Sequence, residues 1–192
     1  MNNKLFLPLF LIFITGCSEN ISPVDSGLEN QIYHHGHGSE PQGIDPHIVT
    51  GVPEHHILIS LCEGLTIPNP NPNQLDGYIA GTAESWTISE DGKEYIFKIN
   101  KQAKWSNGDS VTAEDFVWSW KRILTASLGS QYPDMLYYLE GAYEYHNGLI
   151  NDFDLVGVKS LDMHTLKVNL KNPTPFFLGL LSHYSTWPVH KE

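Results

Sequence analysis

The most constraining feature of this chain is a short apolar run near its start, followed at once by Thr15-Gly16-Cys17. The run covers residues 5–14, and Lys4 places a positive charge directly before it. A helix that spans a bilayer needs about 20 apolar residues, so this run is too short to cross a membrane. A positive start, an apolar core and small residues at its end are typical of a secretory signal. We therefore expect residues 1–16 to be removed and the remaining chain to lie outside the cytoplasm.

The segment Ile14-Thr15-Gly16-Cys17 resembles the lipobox of bacterial lipoproteins, in which the cysteine sulfur receives a diacylglycerol. The resemblance implies that Cys17 is the lipidation site and that the mature protein is anchored to a membrane through its lipid. An ordinary secretory signal with an incidental cysteine is the alternative. Residues 17–30 are polar and contain Pro23 and Gly27, so they are predicted to form a flexible, extended spacer behind the anchor.

The composition indicates a folded protein that does not bind nucleic acid. The chain has 192 residues, of which 41% are hydrophobic, enough to build a core. Its formal charge of -11 argues against nucleic acid as a partner, because phosphates require a basic surface. Apart from Cys17 the sequence contains only Cys62, which excludes an intramolecular disulfide framework. We expect Cys62 to be a small buried residue.

Local patterns in the first half of the chain predict a helix, a loop and a hairpin. Pro53 can open a helix that ends near Gly64, and the apolar residues that follow recur at helical spacing: Ile57, Leu58, Leu61 and Leu65. Residues 67–73 alternate Pro and Asn and are predicted to be a surface loop. Residues 86–99 predict a β-hairpin that turns at Asp91-Gly92, with one aromatic strand face buried.

The second half contains further helix and strand signals. Thr112 and Asp115 have the spacing of a capping box, and the helix behind them carries an apolar stripe: Phe116, Trp120, Ile123 and Leu124. A second helix is predicted from Asp134 to Asn147, with three residues facing inward: Leu136, Leu139 and Tyr143. Residues 155–160 and 165–170 read as strands, and Pro175 opens a last short helix. This mixture predicts a mixed α+β fold.

Five segments in consistent order resemble the family 5 solute-binding proteins of ABC importers, and within them the oligopeptide-binding proteins. The segments are Ser39 to His47, Glu63-Gly64-Leu65, Ala83 to Trp86, Ala103 to Gly108 and Val111 to Trp120. The resemblance implies a two-lobed periplasmic-binding-protein fold of which this chain holds the N-terminal part, so that the fold is incomplete at the C-terminus. It assigns residues 31–62 to the first slice of the main lobe, 63–190 to an extra α+β domain, and 191–192 to the start of the remainder.

The same resemblance supplies the candidate ligand contacts. The segment Thr50-Gly51-Val52-Pro53 matches the part of such proteins that lines the cleft and makes strand-like main-chain contacts to a peptide. Val52 and Thr50 are therefore candidate peptide-binding residues, with Thr50 standing where close relatives carry a glutamate. Tyr132, in Ser130-Gln131-Tyr132, matches a tyrosine that reaches the cleft and is the third candidate.

The resemblance implies a substrate-binding lipoprotein that captures oligopeptides outside the cytoplasmic membrane and delivers them to an ABC permease and ATPase. We expect a monomer without a cofactor or a resident metal. An enzyme is not expected, because the sequence has neither the G-x-S-x-G nor the H-E-x-x-H motif and no sign of paired catalytic carboxylates.

Two alternatives stay open. Nickel or a metal chelate is a possible cargo in the same family, and six histidines lie between residues 34 and 56, although their spacing matches no particular metal site. They are His34, His35, His37, His47, His55 and His56. A scaffold or adhesin lipoprotein that uses this fold without transport is the other alternative.

Overall fold

The computed structural model describes residues 21–36, 38–71, 73 and 77–191. The chain divides into two compact units, residues 1–36 and residues 37–192. The helices are α1 (Pro23–Asn30), α2 (Val52–Leu61), α3 (Ala113–Leu124), α4 (Ala142–His146) and α5 (Phe177–Leu180). The strands are β1 (Thr66–Pro68), β2 (Tyr78–Ala80), β3 (Ala83–Ile88), β4 (Glu94–Ile99), β5 (Val158–Asp162) and β6 (Thr165–Asn169). In this described part of the chain, no helix combines the length and hydropathy needed to cross a bilayer.

The first unit contains helix α1, so Pro23–Asn30 is helical where the sequence predicted an extended spacer over residues 17–30. The Ser22 hydroxyl caps the helix by accepting a hydrogen bond from the Asp25 N–H at 3.1 Å. Pro23 follows at the first helical position, where its missing N–H costs nothing, and Asp25 lies in the positive first turn. These capping signals favour a helix even though the segment is polar. Residues 1–20, including Cys17, lie outside the described residues, so lipidation stays a prediction.

The second unit is built on a four-stranded antiparallel sheet in the order β3-β4-β6-β5. Strands β3 and β4 form the predicted hairpin, in which Trp86 pairs with Phe97, and Phe97 pairs on its other side with Leu166 of β6. Tyr95, Phe97 and Ile99 alternate along β4 and are all buried. The buried aromatic face predicted from the sequence is therefore confirmed.

Helix α3 covers this sheet by packing against β5 and β6. Its start is the predicted capping box, in which the Asp115 carboxylate accepts a hydrogen bond from the Thr112 N–H at 2.7 Å. The predicted apolar stripe is buried with no measurable exposure: Phe116, Trp120, Ile123 and Leu124. The helix and the sheet together enclose the main core of the unit.

The long helix predicted over residues 134–147 is wrong. A 3-10 turn at Pro133–Leu136 is followed by the short helix α4. Gly141 separates them in a left-handed conformation, with φ at 67°, and a side chain there would meet the Leu155 carbonyl oxygen at 2.6 Å. As a result Leu136 is buried as predicted but Tyr143 is exposed.

Smaller differences concern element ends. Strand β5 begins at Val158 because Phe153–Leu155 forms a 3-10 turn, and α5 begins two residues after Pro175. Ile67 and Pro68 belong to strand β1, whose one partner among the described residues is β2, so that β1 tolerates a proline at its edge.

The end of α2 also differs from the prediction. The helix stops at Leu61 rather than near Gly64, and Cys62 continues in an extended conformation. Cys62 is therefore exposed, which corrects its assignment as a buried residue. Two apolar residues of the same region, Ile44 and Leu61, are also largely exposed.

Candidate functional site

A second, smaller core lies apart from the main one and organises the candidate site. It consists of Val49, Leu58, Tyr184 and Trp187, with Tyr132 packed against it. The four core residues come from the segment before α2, from α2 itself, from the 3-10 turn at Tyr184–Thr186 and from the residue that follows this turn. The cluster therefore ties residues 45–61 to a turn more than 120 positions later in the chain.

Polar contacts around His47 strengthen this connection. The His47 Nδ1 atom lies 2.9 Å from Arg122 NH1, which can only donate, so Nδ1 accepts and Nε2 carries the ring proton. Nε2 then donates to the main-chain oxygen of Trp187 at 3.0 Å. The Arg122 guanidinium also binds both carboxylate oxygens of Asp45, with NH1 donating to Oδ1 at 3.0 Å. Both ring nitrogens of His47 are thus satisfied in the neutral state.

The protonation states of this cluster follow from its surroundings. Burial lowers the pKa of His47 to about 4, outweighing the hydrogen bond to Trp187, and the Arg122 charge lowers it further. Burial raises the pKa of Asp45, but the bonds from Arg122 and from the His47 N–H outweigh it and hold that pKa below its ordinary value. The cluster at neutral pH is therefore an Arg–Asp ion pair next to a neutral imidazole.

Four rings meet beside this cluster. Tyr132 packs edge-on against His183, with ring centroids 5.2 Å apart, and edge-on against Tyr184 at 6.1 Å. His183 lies 4.2 Å from Tyr184, and His55 approaches Tyr184 from α2 at 5.6 Å. The Tyr184 hydroxyl donates to the Val49 main-chain oxygen at 3.2 Å. Tyr184 thereby stands between Tyr132 and the residues that lead to Val52.

The segment around Val52 lies at the surface. Thr50 is exposed, and Val52 is 66% exposed. Gly51 is extended, with ψ at 157°, and serves as the N-cap of α2. The extended conformation does not continue past Gly51, because Val52 is already the first residue of α2. Its N–H is one of the donors that have no acceptor within their own helix.

Glu54 stabilises the start of α2. Its carboxylate accepts a hydrogen bond from the Gln42 N–H at 2.6 Å and lies in the first turn of the helix. The Gln42 N–H holds the pKa of Glu54 below its ordinary value. Gly51 leaves room for this carboxylate, because a side chain at position 51 would collide with it. The Glu54 carboxylate therefore links the first turn of α2 to the main chain at Gln42.

Tyr184 contacts Tyr132 and the main-chain oxygen of Val49, the residue directly before Thr50. No contact between Tyr132 and Thr50 or Val52 themselves is recorded among the described residues, so their shared role stays a prediction. Tyr184 and His183 could not be selected from the sequence, because they lie at a 3-10 turn without a distinctive motif. His55 was considered only as one of the six histidines that could hold a metal. Among the residues that the structure describes, no three or more His, Cys, Asp or Glu side chains are arranged to hold a metal ion. Both ring nitrogens of His47 are hydrogen-bonded, one to Arg122 and the other to Trp187, and His37 lies outside the described residues.

The comparisons with known proteins all indicate the same protein family. The model of the bacterial extracellular solute-binding proteins, family 5 Middle, matches residues 77–192. The chain is 45% identical over 166 residues to the periplasmic oligopeptide-binding protein OppA of Escherichia coli K12, covering 85% of this chain and 29% of that protein. The chain thus spans under a third of the length of this curated relative.

Solved structures of oligopeptide-binding proteins are also similar to this chain. The Haemophilus influenzae OppA complex with RPPGFSPFR superposes with a TM-score of 0.74 at 36% identity, covering 81% of this chain and 30% of that one. The substrate-binding domain of an oligopeptide ABC transporter from Bacillus anthracis gives a TM-score of 0.72 at 37% identity, covering 80% of this chain and 29% of that one. The mixed α+β chain matches the N-terminal part of such structures, and it belongs to the family 5 bacterial extracellular solute-binding proteins.

Proposed function

We propose that this chain is part of a substrate-binding lipoprotein of an ABC importer, and that the protein captures oligopeptides outside the cytoplasmic membrane. The observation that carries the proposal is that Tyr184 contacts Tyr132 through its ring and, through its hydroxyl, the main-chain oxygen of Val49, which directly precedes Thr50. The 45% identity to an oligopeptide-binding protein supports the same cargo class.

In this proposal the ligand is bound mainly through its main chain. The extended backbone at Gly51 offers strand-type hydrogen bonds, and the Val52 N–H is a donor at the helix start. The partly buried Tyr132 ring supplies an apolar surface with a polar tip. Because these groups contact backbone rather than a particular side chain, they accommodate peptides of varied sequence.

The remaining parts of the proposal concern location and partners. A lipid on Cys17 would hold the protein at the membrane, and an ABC permease and ATPase would receive the peptide. We expect a monomer that binds and releases its cargo unchanged rather than an enzyme. Family membership supports this role, since the relatives compared here are named for oligopeptide binding or for an oligopeptide ABC transporter.

Isothermal titration calorimetry tests the cargo class. The complete protein, with any chain that follows residue 192, is titrated with a mixed set of tri- to pentapeptides and separately with nickel chelates. Micromolar or tighter binding of the peptides is expected, with the peptides recovered intact. Binding of the chelates alone would replace the peptide assignment with metal transport. Binding of neither ligand would favour a scaffold or adhesin role.

A further inference from the structure

Tyr184 fixes the main chain just before the candidate contact segment. Its side chain is 3% exposed, and its hydroxyl donates to the Val49 oxygen at 3.2 Å across 135 positions of sequence. The Val49 carbonyl belongs to the peptide group that it shares with the Thr50 N–H. A bond to this oxygen therefore sets the orientation of the peptide plane from which Thr50, Gly51 and Val52 continue.

The Tyr184 ring also contacts residues on both sides of the candidate binding region, which consists of Tyr132 and the Thr50–Val52 segment. Tyr132 meets it edge-on, with an interplanar angle of 84°, and His183 lies against it with a centroid distance of 4.2 Å. His55, near the start of α2, contacts it from the helix side at 5.6 Å. A displacement of Tyr184 would therefore move Tyr132 and the Thr50–Val52 segment relative to each other.

The hydroxyl keeps its donor role over the whole working pH range. Burial, together with the neighbouring Tyr132 hydroxyl, raises the pKa of Tyr184 to about 12. The Tyr184 side chain therefore remains neutral, with its proton available to the Val49 oxygen, at every pH at which the protein would bind a ligand. Pre-organisation of this kind lowers the cost of ordering the segment when a ligand binds.

We propose that Tyr184 is a positioning residue for ligand capture: its hydroxyl orients the Val49–Thr50 peptide group, and its ring holds Tyr132 in register with the Thr50–Val52 segment. The effect on ligand binding rests on the proposed peptide-binding function. The effect on the segment itself does not, because the contacts exist within this chain.

The test replaces Tyr184 with Phe, which removes one oxygen and keeps the ring. Tyr95→Phe is the matched control, since Tyr95 is 4% exposed and lies in the main core. Amide hydrogen exchange is compared at Val49 and His55, whose N–H groups donate to the oxygens of Asp45 and Gly51 at 3.1 Å, with the two variants brought to equal global stability by denaturant. Tyr184→Phe is expected to accelerate exchange there about fivefold, the loss of one hydrogen bond, whereas Tyr95→Phe should leave it unchanged. Placing 4-aminophenylalanine at position 184 restores an N–H donor and should restore the protection.

A second measurement uses the complete protein and a tripeptide. Tyr184→Phe is expected to weaken binding about fivefold, with little change for Tyr95→Phe. Equal exchange in the two variants, or a rapidly exchanging Tyr184 hydroxyl proton in the wild-type NMR spectrum, would overturn the positioning role. If the wild-type protein binds no peptide, the proposed function fails, and the exchange data alone decide the role of Tyr184.

Discussion

The side chain of His47 and the main chain of Trp187, 140 positions apart in sequence, are joined by a hydrogen bond from Nε2 to the carbonyl oxygen at 3.0 Å. Of the two neutral tautomers, only the one that Arg122 imposes on the other ring nitrogen can form this bond. A protonated ring would carry a second N–H directed at the guanidinium, so two donors and two positive charges would face each other. The contact between residues 45–61 and the Tyr184–Thr186 turn is therefore sensitive to pH.

The first prediction is that stability falls with acidity through His47. Its pKa is about 4 in the folded protein against an ordinary 6.5, so between these values the unfolded chain binds a proton that the folded chain does not. This contribution is complete above pH 6.5 and is lost as the pH falls toward 4. The free energy of unfolding should be about 2 kcal/mol lower at pH 5 than at pH 7.5 from this group alone.

Urea unfolding at the two pH values checks this prediction. His47→Gln, which cannot titrate, should remove most of the difference, whereas His56→Gln, in α2, should retain it. A wild-type pH dependence that His47→Gln leaves intact would contradict the role given to His47.

The second prediction concerns Gly64, which lies against the indole of Trp187. A side chain at position 64 would collide with the Trp187 ring and with the Leu181 carbonyl oxygen. Gly64→Ala should lower the free energy of unfolding by about 1–3 kcal/mol, the usual cost of overpacking. At Gly43 an added methyl group would meet only Val49 Cγ1, at an ordinary 3.5 Å. Gly43→Ala is thus the control, and equal losses in the two variants would refute the close-packing argument.

The third prediction concerns the start of α3. Asp115→Ala removes the acceptor for the Thr112 N–H and should cost about 1–2 kcal/mol of stability. Glu114 is an exposed acidic residue in the same helical turn. Glu114→Ala should therefore change the melting temperature far less. If both substitutions have the same effect, the first-turn charge alone and not the cap would explain the stabilisation.

Much of the fold could be predicted because its signals are local. The β3–β4 hairpin and helix α3 each carry alternation, turn or capping patterns within a few residues. The break at Gly141 depends on the close approach of the Leu155 carbonyl, which no window around residue 141 contains. For the same reason the α4 region was predicted as one long helix.

The candidate site likewise contains residues that could be predicted from the sequence and one that could not. Val52 and Tyr132 lie in motifs that resemble a family, so they could be selected from the sequence. Tyr184 reaches Val49 across 135 positions of sequence and lies in a 3-10 turn without periodicity. Its role depends on a tertiary contact with a residue 135 positions away. A contact between such distant residues produces no pattern in the sequence next to Tyr184.

The fourth prediction is that Cys17 carries the membrane anchor. Cys17→Ser should block lipidation and move the protein from the membrane fraction to the soluble fraction of fractionated cells. Cys62→Ser, at an exposed cysteine of the folded region, is the matched control and should remain with the membrane. Membrane retention of the Cys17 variant with normal signal cleavage would show that the lipobox assignment is wrong.

The central claim is that peptides are bound through main-chain groups at the start of α2, and the Val52 N–H is the most direct place to test it. Val52→Pro removes this N–H at a helix position where proline is tolerated, while Val52→Ala trims the side chain and keeps the N–H. Calorimetry of the complete protein with a tripeptide should show about tenfold weaker binding for Val52→Pro and less than threefold for Val52→Ala. Equal affinity of Val52→Pro and the wild type, or a larger loss for Val52→Ala, would contradict main-chain recognition at this position.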